Sequence, residues 1–125
     1  MCKALILEDN TTFRKMTKEI LHSHFPTMNI EDESDGSELF SKIDAFHPDI
    51  AFMDIRLPGE NGLELTKKIK ANYPGITVVI LSAYDLPEYR HGALQSKADH
   101  FVSKDSKTSD FVALVESICL EKHLE

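Results

Sequence analysis

The residues of this chain that could act together chemically are three acids, a hydroxyl and a lysine, each placed directly after a short apolar run. Glu8 and Asp9 follow Lys3 to Leu7, Asp54 follows Ile50 to Met53, Ser82 follows Ile76 to Leu81, and Lys104 follows Phe101-Val102 with its flanks. Three carboxylates drawn into one cleft repel one another. Either a shared proton or a hard divalent cation with oxygen ligands relieves that repulsion. Acids leaving strands toward a common cleft favour the cation. Mg2+ is the expected one, because it keeps several waters and takes few carboxylates along with phosphate oxygens. Lys104 adds a second positive charge and Ser82 a hydroxyl donor. Cation, lysine and hydroxyl together describe a receptor for a phosphoryl group. A carboxylate left free within it can attack phosphorus and form an acyl phosphate.

Such a set works only if the elements that carry it converge. Three of the apolar runs are nearly continuous rather than alternating, as in strands buried on both faces of a parallel sheet. A weaker strand fits Met28 to Glu33, and the acids Glu31-Asp32-Glu33 at its end are ambiguous, inside the cleft or outside it. Helical spacing fills the gaps: Phe13, Met16, Ile20 and Leu21; then Leu39, Phe40 and Ile43; then Leu65 and Ile69. Asp35 with Glu38, and Asn61 with Glu64, read as capping boxes. Tyr73-Pro74-Gly75 stops the third helix, and Pro87 suits the first turn of a fourth, capped by Asp85. Phe111, Leu114, Val115, Ile118 and Cys119 mark one face of the last helix. Five strands, each followed by a helix, imply an α/β fold with a parallel sheet covered on both faces. In such sheets ligands sit beyond the carboxyl ends of the strands, which is where the acids, Ser82 and Lys104 stand.

Composition narrows the function classes. A chain of 125 residues with 42% hydrophobic and 28% charged residues reads as one ordinary soluble domain. Its formal charge of −7 argues against gripping a phosphate backbone or an anionic membrane surface. No apolar run approaches the roughly 20 residues of a membrane span, and no signal segment opens the chain. Cys2 and Cys119 are too few and too far apart for a metal cluster or a disulfide framework, so two reduced thiols in a cytoplasmic protein are expected. His22 and His24, two apart, do not share a helix face as ligands would. The turn Glu8-Asp9-Asn10-Thr11-Thr12 lacks the glycines of a P-loop or dinucleotide fold. A phosphatase of the aspartyl-phosphate type would want a second Asp where Arg56 stands.

The set resembles the receiver domain of two-component response regulators, over essentially the whole chain. The resemblance rests on the pair Glu8-Asp9, the run Met53-Asp54-Ile55-Arg56-Leu57-Pro58-Gly59 with Gly62, Ser82 followed by Ala83, and Lys104 with Phe101 three residues before it. It implies a flavodoxin-like, doubly wound five-stranded parallel sheet of order 2-1-3-4-5 flanked by five helices. Asp54 would accept a phosphoryl group from a sensor histidine kinase or phosphotransfer protein. Glu8, Asp9, Asp54 and the backbone carbonyl of Arg56 would hold Mg2+, and Lys104 would contact a phosphoryl oxygen. Ser82 and Phe101 would act as the switch, reshaping the face of the fourth helix, fifth strand and fifth helix, with homodimerisation on phosphorylation. Such a domain is no conventional enzyme; it catalyses its own phosphoryl transfer and autodephosphorylation. Asn61-Gly62-Leu63-Glu64 and Lys104-Asp105-Ser106 are most similar to receivers of NarL/LuxR-type regulators, whose helix-turn-helix output domain would be the only route to DNA.

Residues 1–123 are expected to form the receiver and Leu124-Glu125 a cloning scar, with an excised receiver favoured over a stand-alone one. A pseudo-receiver working without phosphorylation would lack one of the acids or the lysine, and none is lacking. Two departures from the family stand out. Ser96-Lys97-Ala98 replaces a glycine turn. Asp105 stands where many relatives have Pro, so the Lys104–Asp105 peptide is expected trans, a cis bond costing about 2.5–4 kcal/mol without Pro. Arg56 and Tyr84 flank the expected site, where they either shield an acyl phosphate or point to solvent.

Overall fold

The computed structural model describes residues 2–122; the expectation for Leu124-Glu125 lies outside them. Its elements run β1 (Lys3–Leu7), α1 (Thr11–His24), β2 (Asn29–Glu33), α2 (Leu39–Phe46), β3 (Ile50–Asp54), β4 (Arg56–Leu57), β5 (Glu60–Asn61), α3 (Gly62–Asn72), β6 (Thr77–Ser82), α4 (Pro87–Gln95), β7 (His100–Ser103) and α5 (Thr108–Glu121). Five strands form one parallel sheet in the order β2-β1-β3-β6-β7, and β4 with β5 make a small antiparallel pair. Counting the five long strands alone, this is the expected order 2-1-3-4-5, with five helices around it.

Side chains alternate across the sheet with a period of two, which splits the core into two layers. Leu5, Leu7, Met53, Val78 and Ile80 pack with Leu39, Ile43, Leu65, Ile69 and Ala93 of α2, α3 and α4. Ala4, Ile6, Phe52, Val79 and Leu81 pack with Leu21 of α1 and with Val115, Ile118 and Cys119 of α5. The central strand β3 is buried at every position, the reason its sequence reads as an unbroken apolar run.

Local expectations fare unevenly. Asn61 caps α3, accepting from the Leu63 N–H at 2.8 Å, and Pro87 opens α4. The Asp35–Glu38 box does not form: Asp35 turns its carboxylate to the backbone N–H and hydroxyl of Ser37, and α2 begins only at Leu39. Asp85 does not cap α4, because it pairs with Arg90 instead, one oxygen accepting from Nη2 at 3.0 Å. Met16 is 46% exposed, and Thr17 takes the buried place on α1. Lys97 itself adopts the left-handed conformation, φ 68°, keeping the turn a glycine would favour. No peptide among the described residues is cis, Lys104–Asp105 included.

Candidate functional site

The sheet ladders carry the reactive side chains to one row. Glu8 extends the β1–β2 pairing, its N–H donating to the Glu33 carbonyl at 3.0 Å. Asp54 is the last residue of β3, opposite Leu81, and Ser82 closes β6 opposite Ser103. Lys104 N–H donates to the Ser82 carbonyl at 2.8 Å, adding one rung beyond β7. Gly62 fixes the far side. Its N–H donates to the Ile55 carbonyl at 2.7 Å, and any Cβ there would overlap the Asp54 carbonyl oxygen, so only glycine lets α3 start this close.

Carboxylate oxygens of Glu8, Asp9 and Asp54 lie within 4.8 Å of one another. Glu8 and Asp54 are buried and Asp9 is exposed. Lys104 Nζ stands 2.7 Å from Glu8 Oε1 and 3.6 Å from Asp54 Oδ2. Asn10 N–H donates to Glu8 Oε2 at 3.1 Å. Among the described residues, buried Glu8 Oε1 receives no directed hydrogen bond, so the Lys104 approach is a contact of charge rather than of donor geometry. A buried carboxylate oxygen without a directed donor, next to two further carboxylates, suits an oxygen-ligated cation. Burial pushes the Asp54 carboxyl up from 3.8 to about 7, the neighbouring Glu8 and then Asp9 add to the rise, and Lys104 opposes it. The group therefore sits where a proton or a metal ion competes for it near neutral pH.

These residues line one cavity of about 260 Å³ together with Ser82, Arg56 and Tyr84. The Ser82 hydroxyl is turned to the loop after β6: it donates to the Tyr84 carbonyl at 2.9 Å and accepts from the Tyr84 N–H at 3.0 Å. Phe101 does not reach this cavity. It is half-buried beside a neighbouring one of about 200 Å³ that Asp85 and Arg90 also line, with the Arg90 guanidinium 4.6 Å from the centre of its ring. The acids of β2, ambiguous in the sequence, stay outside: Asp32 pairs with Arg14 and Lys18, and Glu31 and Glu33 pair with Lys42.

Two neighbours of the site escaped sequence reasoning. Tyr89 of α4 accepts from Arg56 Nη2 at 2.8 Å, and the Arg56 guanidinium lies 4.6 Å from the Tyr84 ring centre. Arg56 and Tyr84 thus meet at the cavity mouth rather than pointing apart into solvent. Phe13 of α1 lies under Lys104, whose Nζ is 4.5 Å from its ring centre. Phe13 shows in the sequence only as one member of a helical apolar face, and the separation of 33 positions between Arg56 and Tyr89 hides that contact from any local pattern.

A family model described as "Response regulator receiver domain" matches residues 4–116. The chain is 30% identical over 114 residues to the transcriptional regulatory protein DegU of Brevibacillus brevis, covering 91% of this chain and 47% of that one. It is similar to the solved response regulator receiver domain protein (CheY-like) of Methanospirillum hungatei, at TM-score 0.88 and 26% identity over 98% of this chain and 97% of that one. It also shares its fold with a LuxR-family DNA-binding response regulator of Staphylococcus aureus, at TM-score 0.86 and 24% identity over 94% and 98% of the two chains. It spans about half the length of the curated relatives it matches. Among the described residues no helix is long and apolar enough to cross a membrane.

Proposed function

The chain belongs to the response regulator receiver domain family, and on that premise we propose that Asp54 is its phosphoacceptor, charged by a sensor histidine kinase or a phosphotransfer protein. The observation that carries this reading is the meeting of Glu8, Asp9 and Asp54 within 4.8 Å, with Lys104 against two of them, at the carboxyl ends of the strands.

Glu8, Asp9 and Asp54, with the Arg56 backbone carbonyl, would hold Mg2+; when bound, the ion offsets their charge and that of phosphoryl oxygens. An Asp54 carboxylate oxygen attacks the phosphorus of a phosphohistidine, the P–N bond breaks, and the imidazole leaves with its electron pair. Lys104, already 3.6 Å from Asp54, turns from Glu8 to the incoming phosphoryl oxygens. Ser82 releases the Tyr84 carbonyl to donate its hydroxyl to the same group. Phe101 moves from under Arg90 into the space that Ser82 vacates, and the surface of α4, β7 and α5 changes shape, favouring a homodimer. Arg56 and Tyr84 at the cavity mouth restrict water and slow the loss of the phosphoryl group. The chain acts in the cytoplasm in this reading, and reaches DNA only through a helix-turn-helix output domain outside the present sequence.

The test is incubation with Mg2+ and a small acyl phosphate donor, read by intact mass. Wild type gains one phosphoryl group and Asp54→Asn gains none. Equal labelling of Asp54→Asn would remove the assignment.

A further inference from the structure

Far from the acidic cavity, at the amino end of the sheet, the fold joins the two cysteines of the chain. Cys2 immediately precedes β1 and Cys119 lies in the last turns of α5; 117 positions separate them in sequence, yet both are buried in the same core layer. Both also line one open cavity of about 280 Å³, with Met28 beside them and His24, Glu116 and Leu120 at its exposed rim. Burial pushes both thiols up, and each bears on the other: Cys119 raises Cys2 further, and Cys2 lowers Cys119.

We propose that Cys2 and Cys119 are a paired oxidation site that closes into an internal disulfide by exchange with a low-molecular-weight disulfide such as oxidised glutathione entering this cavity. One cysteine, as thiolate, attacks a sulfur of the oxidant. The oxidant's S–S bond breaks, a mixed disulfide forms, and one small thiol leaves. The second cysteine attacks the protein sulfur of that mixed disulfide and releases the other small thiol. The two hydrogens of the protein thiols end on the two small thiols, so the exchange balances. Because burial keeps both groups protonated at neutral pH, the first step is slow and sets the rate. The bridge ties the start of the edge-adjacent strand β1 to the end of α5, closing nearly the whole chain into one loop. Constraints on long loops stabilise most.

The experiment treats the purified reduced chain with oxidised glutathione over hours and reads it by intact mass, peptide mapping and thermal unfolding. The expected product has lost two hydrogens, contains a Cys2–Cys119 cross-linked peptide and unfolds about 10 °C or more higher. Cys2→Ser and Cys119→Ser each form no internal bridge and stop at one glutathione adduct. Two thiols that stay alkylatable after unfolding, two separate adducts on wild type, or a dimer joined between chains would each overturn the proposal. Asp54→Asn forms the same bridge as wild type, so loss of the phosphoacceptor reading leaves this result unchanged.

Discussion

At the amino ends of the strands, Asp49 accepts from the Lys3 backbone N–H at 2.9 Å, and Asp99 accepts from the Val78 N–H at 2.8 Å and from Lys70 Nζ at 2.9 Å. At the carboxyl ends, Glu8 and Asp54 face each other, Asp9 and Lys104, and one oxygen of Glu8 has no directed donor. All four strands involved are parallel, so the acids of each set lie together at one end of the sheet. An acid at the amino end completes the backbone ladder and becomes structural. The acids at the carboxyl end instead crowd one another, three carboxylates sharing a single lysine. Position along the strand thus separates acids that bond the backbone from acids that gather into the proposed site.

This contrast can be broken in graded ways. The largest effect is on phosphorylation: Glu8→Gln or Lys104→Ala lowers the rate of labelling by about 10²-fold or more, while Asp49→Asn leaves it within a few-fold, all read by time-resolved intact mass. Stability reverses the ranking. Asp49→Ala strands the Lys3 N–H and costs about 1–3 kcal/mol in urea unfolding, whereas Asp54→Asn in metal-free buffer relieves repulsion and gains about 1 kcal/mol.

Acidity sharpens the same difference. The Asp54 carboxyl titrates near 3.8 in the unfolded chain and about 7 in the metal-free fold, so the fold binds the extra proton between those values. Its contribution to stability is full below 3.8, falls as pH rises, and is gone above about 7. Urea midpoints of wild type measured without metal across that window decline relative to those of Asp54→Asn. Mg2+ added near pH 7 displaces the proton, which calorimetry in two buffers of different ionisation enthalpy detects. The smallest effect lies outside both ends: Lys97→Gly relieves a left-handed residue at φ 68° and gains about 0.5–1 kcal/mol, without changing labelling.

Much of this was legible without coordinates. The alternation of short apolar runs with helical faces yields the fold class, because strands buried on both sides must be apolar throughout and their ends must carry what is polar. Glu8, Asp9, Asp54, Ser82 and Lys104 could be named because each stands one or two steps past such a run. Gly62 could be named as part of a motif, but its reason, a helix start pressed on the Asp54 carbonyl, appears only in three dimensions. The capping boxes show the limit of short-range reading. Asn61 behaves as its spacing predicts. Asp35 and Asp85 find nearer or stronger partners in Ser37 and Arg90, and local sequence does not rank competing acceptor contacts.

By itself, then, the order of residues determined which side chains could be reactive, that a parallel sheet would gather them, and the family to which the chain belongs. Only the tertiary structure decided which groups touch. Lys104 leans on Glu8 more closely than on Asp54, Ser82 bonds its own loop, and Phe101 lies under Arg90 outside the acidic cavity. Cys2 and Cys119, too far apart in sequence to suggest a pair, come into one core layer and one cavity through the fold. Spacing along the chain specifies local geometry and the face a residue occupies. The identity of its partner depends on elements dozens of residues away, set by how the whole core closes.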